Sequence, residues 1–85
     1  MALEDVPPTI RDRKQFADFV NALSRDWEEG GDKWENRDIG SFLEAMGAWL
    51  EGSMGYYRNF SLDVNPDEPS WRVFADALLA ARVYE

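Results

Sequence analysis

Neither cysteine nor histidine occurs among the 85 residues of the chain. Without cysteine there is no disulfide framework and no thiolate zinc site; without histidine, the commonest metal ligand and the side chain that titrates near neutrality are missing. No serine therefore has a histidine partner to activate it. No glycine-rich loop runs into a lysine and a hydroxyl, as a phosphate cradle requires. Long apolar runs are lacking too, since none approaches the roughly 20 residues of a membrane span. The opening Met1-Ala2-Leu3-Glu4-Asp5-Val6-Pro7-Pro8 is acidic where a secretory leader would be basic and then apolar. These absences point to a soluble, cytoplasmic protein, expected to be bacterial and non-enzymatic. No cofactor, metal, nucleic acid or membrane is expected to bind it.

Basic residues are scarce as well, with nine Lys and Arg against 17 Asp and Glu and a formal net charge of −8. The imbalance is local. Residues 11–25 carry Arg11, Arg13, Lys14 and Arg25 against Asp12 and Asp18, a net of +2. Residues 26–52 carry Asp26, Glu28, Glu29, Asp32, Glu35, Asp38, Glu44 and Glu51 against Lys33 and Arg37, a net of −6. Such a field attracts cations and basic proteins and repels nucleic acid and anionic lipid. Two readings stay open: the acid keeps the chain soluble, or it meets a basic protein partner.

Aromatic residues, by contrast, are plentiful: four Trp, three Tyr and five Phe. They suffice to close the core of one small domain near the size where a core is just adequate without disulfides or metal. Few apolar residues can be spared for the surface of so small a domain. A cluster of them left outside would therefore signal a binding site.

Residues 1–9 read as a loose lead-in, because Pro7-Pro8 cannot enter a helix interior and favours extended backbone before it. Either Thr9 or Asp12 caps the helix that follows, Asp12 having Gln15 at capping-box spacing. Phe16, Phe19, Val20, Leu23 and Trp27 form one stripe at helical spacing, and Gly30-Gly31 ends it through the left-handed conformation that helix termini use. A second helix is expected from Asn36 as N-cap, with Asp38 in the first turn and Ile39, Phe42, Leu43, Met46, Trp49 and Leu50 as its stripe. Gly40 and Gly47 interrupt that stripe at a cost of roughly 1 kcal/mol each, which suggests close approach of another backbone or ring. Gly52-Ser53-Met54-Gly55 loosens or breaks the helix, leaving Tyr56-Tyr57-Arg58-Asn59 as a short extra turn. Phe60 to Pro69 is a proline-containing surface loop, and Ser70 caps a third helix that is apolar on nearly every side. A helix of that kind is central, or covered on a second face by another chain.

Three local patterns carry candidate chemistry. Asp63-Val64-Asn65-Pro66-Asp67-Glu68 opens with alternating oxygen side chains, but a calcium loop needs glycine sixth and glutamate twelfth, where Glu68 and Phe74 stand. It is read as a solvated proline turn. Glu35, Asp38, Glu44 and Glu51 are the carboxylates available for acid–base work; Glu44 and Glu51 share a helix face offset from the apolar stripe, in water, where catalysis is not expected. Tyr56-Tyr57, with Arg58 and Phe60 beside them, form the local cluster hardest to explain by packing, since adjacent helical residues cannot both face one core. Either one tyrosine is exposed, or both lie at a helix end with their hydroxyls anchoring the loop. Glu35, Asp38, Glu44, Glu51, Tyr56, Tyr57 and Arg58 are thus the candidate partner-binding residues.

Trp34-Glu35-Asn36 with Ile39, Phe42-Leu43-Glu44-Ala45 and Ala48-Trp49-Leu50, then Gly55-Tyr56-Tyr57 with Asn59, and last Pro69-Ser70-Trp71 with the final Tyr84-Glu85, make up a spaced pattern over roughly residues 10–85. In these motifs the chain resembles a family of short, acidic, uncharacterised bacterial proteins, a domain of unknown function. The resemblance implies a compact, mostly helical domain, often present as a whole protein, and assigns no catalytic or binding residue. The small acidic members are reminiscent of immunity proteins that neutralise basic toxins.

The expected fold is all-α: one domain over residues 10–85 with three main helices, about 12–28, 36–51 and 70–84, a short fourth turn near 53–58, and the third helix most buried. The expected function is a non-enzymatic protein-binding domain whose acidic surface meets a basic protein. The alternative is a homo-oligomeric structural protein, suggested by the apolar third helix.

Overall fold

The computed structural model describes residues 10–84 and is all-α, with three helices and no strand among those residues. Helix α1 spans Arg13–Gly30, α2 Ile39–Asn59 and α3 Trp71–Ala81, with one 3-10 turn at Gly31–Lys33. The expected lead-in, and Thr9 as a rival cap, lie outside the described residues. Asp12 caps α1: its carboxylate accepts from the Gln15 N–H at 2.8 Å, and the Gln15 side chain accepts in return from the Arg11 N–H at 2.7 Å.

The middle helix departs from expectation at both ends. Asp38, not Asn36, is its N-cap, accepting from the Ser41 N–H at 2.8 Å. Its C-terminus runs through Gly52 and Gly55 to Asn59 without a break, so the expected fourth turn is the last turn of α2. Packing explains the continuity: Ser53 and Tyr57 are both buried, and helix is the conformation that brings them, one turn apart, against α3. Neither Gly40 nor Gly47 is approached by another backbone or a ring: a side chain at Gly47 would meet nothing within 4 Å, and one at Gly40 would stand 3.3 Å from the capping carboxylate of Asp38.

α2 ends in a tight reverse turn. The Ser61 N–H donates to the Arg58 carbonyl at 3.1 Å and the Leu62 N–H to that of Tyr57 at 2.9 Å, which is the two-bond pattern of a Schellman cap. Ser61 sits at φ 54°, where glycine is the usual occupant. Leu62 and Val64 then fold back on Trp49, Tyr57 and Val73. Gly30 and Gly31 end α1 differently, at φ −141° and −62°, outside the left-handed region expected for them. What Gly31 supplies is room: a side chain there would stand 3.2 Å from the Arg37 guanidinium and 3.4 Å from Trp27.

α3 lies between the other two. Ala75 packs with Phe19, Ala22, Leu23, Trp34 and Ile10 on the α1 side, while Val73 and Ala77 pack with Trp49 and Tyr57 on the α2 side. Between Trp71 and Ala81 only Phe74 is exposed, as expected of the most buried helix. It stops at Ala81, short of residue 84, and from there Asn36 supplies donors to the carbonyls at and beyond its end. The Asn36 side-chain amide donates to Ala81 O at 3.0 Å and Tyr84 O at 2.9 Å, and its backbone N–H donates to Arg82 O at 3.0 Å. Beside it the Trp34 indole donates to Asp26 at 2.8 Å, and Arg82 reaches the same carboxylate at 3.4 Å.

Asn36→Ala, losing two hydrogen bonds, is expected to cost about 1–3 kcal/mol in urea denaturation. Asn36→Asp should cost more than alanine does, because a carboxylate would face carbonyl oxygens it cannot donate to. In the same assay Ser61→Gly should raise stability by about 0.5–1 kcal/mol, by relieving the left-handed serine.

Candidate functional site

The candidate residues separate according to the work each does in the fold. Asp38 is occupied as a cap: the Ser41 N–H and then the Ser41 hydroxyl, at 2.8 and 2.9 Å, hold its carboxyl below the usual aspartate range. Glu35 is exposed in the segment leading to α2. Glu44, Glu51 and Arg58 are exposed at intervals of seven along α2, which places them on one helix face. Those three are brought together as a ridge; Glu35 and Asp38 precede the helix and are not part of it.

The tyrosine pair divides cleanly. Tyr57 is 1% exposed, and its hydroxyl donates to Asp76 at 2.7 Å, with Arg72 joining the same carboxylate at 3.3 Å. Burial, and then the adjacent carboxylate, push the Tyr57 phenol well above its ordinary value. Tyr56 is 39% exposed and packs against Trp49, Tyr57 and Phe60, with ring centroids 5.0 to 5.5 Å away. Tyr57 is thereby a structural residue, and Tyr56 the member of the pair available to a partner.

Surface features that local sequence patterns do not reveal flank the ridge on both sides. On one side Ile39, Leu43, Leu50 and Met54 are 72%, 56%, 41% and 41% exposed, although three of them were expected in the core stripe. Their row runs into a groove of about 640 Å³ floored by α3 residues Val73, Ala77 and Leu78. Phe16, Phe74, Met46, Leu50 and the loop Pro66–Pro69 wall it, the last bringing Asp67 and Glu68 to its edge. The groove exists because α1 and α2 both pack on α3 and hardly on each other. On the other side a cleft of about 460 Å³ lies between α2 and the end of α3, lined by Trp49, Gly52, Tyr56, Ala80, Val83 and Tyr84. A smaller depression next to it holds Glu44, Ser41 and Asn36 and shares Tyr84. The spacing of Trp49, Gly52 and Tyr56 on one helix face is visible in the sequence; that Tyr84 closes the site is not.

In the calcium-like loop Asn65 is tied into the turn. Asn65 Oδ1 accepts from the Asp67 N–H at 3.0 Å, and the Asn65 carbonyl accepts from that of Glu68 at 3.1 Å. No helix among the described residues is long and apolar enough to cross a membrane.

The fold and these surfaces define a small all-α domain with a central third helix and a second helix whose outer faces are acidic, apolar and aromatic in turn. A family model matches residues 12–85, and the chain belongs to DUF7660, a family of unknown function. No curated protein and no solved structure matches it.

The Tyr57 network has a pH signature. The folded state holds the phenolic proton more tightly than the unfolded chain, so this contribution is complete below pH about 10 and lost as pH rises above it. Tyr57→Phe is expected to lower stability at neutral pH by about 1–2 kcal/mol. Its urea midpoint should fall less than that of the parent protein between about pH 9 and pH 11.

Proposed function

We propose that this is a non-enzymatic, cytoplasmic protein-binding domain whose acidic surface meets a basic protein, with α2 as the contact element. The observation that carries the reading is the exposed row Ile39, Leu43, Leu50 and Met54, continuous through Leu50 with the groove and bordered by carboxylates on both sides. Leaving these side chains in water is costly in a domain with so small a core. Glu44 and Glu51 border the row along α2, and Asp67 and Glu68 border the groove across it. An apolar strip between acidic margins complements an amphipathic segment whose apolar stripe is flanked by lysine or arginine. In an immunity-type role the basic partner would be a toxin, and finding a toxin gene beside this one would support that form.

The homo-oligomer reading has less to support it, because most of the apolar surface of α3 packs within the chain against α1 and α2, the exposed Phe74 and the groove floor apart. Sedimentation at high micromolar concentration is expected to give a monomer.

Affinity capture followed by titration of the recovered protein tests the reading. Binding is expected to weaken by about tenfold or more from low to high ionic strength, and again in the Glu44→Lys/Glu51→Lys double variant, whose helicity should match the parent's. Failure to recover a partner, or binding indifferent to salt, sinks the reading.

A further inference from the structure

We propose that the cleft between α2 and the last turn of α3 is an arginine-binding site, in which Trp49, Tyr56 and Tyr84 receive the guanidinium plane and Glu44 its charge. The inference rests on the reading of a basic protein partner and names the side chain of that partner that is recognised. Trp49 is almost wholly buried and forms the floor, whereas Tyr56 and Tyr84 are 39% and 40% exposed and form the walls. Gly52 carries no side chain to fill the space between them, and the nearest atom to a methyl group placed there would be the Tyr84 hydroxyl at 4.0 Å.

The walls are held before any ligand arrives. Tyr84 is fixed at both ends of its own backbone unit, its N–H donating to Ala80 O at 2.8 Å and its carbonyl accepting from the Asn36 amide at 2.9 Å. Tyr56 is wedged between Trp49 and Phe60, with ring centroids 5.5 and 5.0 Å away. A preformed site spares a ligand the cost of ordering it.

The chemistry selects the occupant. A carboxylate or phosphate would be repelled by a chain of net charge −8. An uncharged apolar group would bury area but make no use of Glu44, which shares Tyr84 with the cleft through the adjoining depression. Lysine offers a point charge with no flat surface. Arginine alone combines a planar cation that stacks on tyrosine and tryptophan with a fork of donors that matches a carboxylate.

The test uses the whole protein and a blocked glycyl-arginyl-glycine tripeptide, with the glycyl-citrullyl-glycine analogue as its uncharged isostere. NMR titration is expected to shift the Trp49 indole and Gly52 amide signals with the arginine peptide. The citrulline peptide should bind about tenfold more weakly, the difference being the charge. Gly52→Gln, which places a longer side chain in the cleft at a helical position where glycine is unfavourable, should weaken arginine binding about tenfold with the fold intact. Tyr56→Ala should do the same. Equal binding of the two peptides, shifts confined to signals outside the cleft, or full binding by Gly52→Gln would each overturn the proposal. A captured partner that binds Gly52→Gln normally would overturn the arginine site and leave the protein-binding reading standing. Arginine-peptide binding with no partner recovered would do the reverse.

Discussion

The molecule depends on one asparagine reaching across the fold. A helix end leaves its last carbonyls without partners, and these must be met by water or by a donor from elsewhere. Here Asn36 meets the last helical carbonyl, that of Ala81, and those of Arg82 and Tyr84 just beyond it, two through its side chain and one through its backbone. The same bonds pin the segment that follows α3 and hold Tyr84 over α2, beside the contact of Arg82 with Asp26. The start of the second helix and the end of the third are thereby one structural unit, although some 45 residues separate them in the chain.

This dependence explains which parts of the fold are legible in the sequence. Asp12 and Ser70 cap helices through bonds to residues three positions on, so the local pattern contains everything needed to read them. Asn36 obeys the same composition rule and does something else, because its partners are determined by tertiary contact. Gly52 and Gly55 mislead for a related reason: glycine weakens a helix locally, yet burial of Ser53 and Tyr57 one turn apart outweighs that cost. The stripe on α2 is visible as a period but not as a direction. Two apolar arcs lie on that helix, and only α3 decides which of them is core.

The candidate site divides along the same line. The acid of α2 was legible from composition, and Glu44, Glu51 and Arg58 do share a face. That one tyrosine of the pair must turn outward follows from helical geometry, but the choice falls to Asp76, whose carboxylate holds Tyr57 inward. Asp76 and Arg72 read in the sequence as an ordinary pair one turn apart. Nothing local shows that a tyrosine from another helix completes them.

The position of α1 has a consequence for how the molecule opens. α2 and α3 are joined by a folded-back loop and share their own buried cluster, whereas α1 is attached through α3 and the Trp34 segment and hardly touches α2. Two cooperative units of unequal depth follow: an α2–α3 hairpin, and a first helix docked upon it. Amide protons of α1 should exchange through partial openings that leave the hairpin closed, and such an opening widens the apolar groove while leaving the aromatic cleft as it was. The two faces of α2 therefore differ in kind, one being adaptable in width and the other fixed.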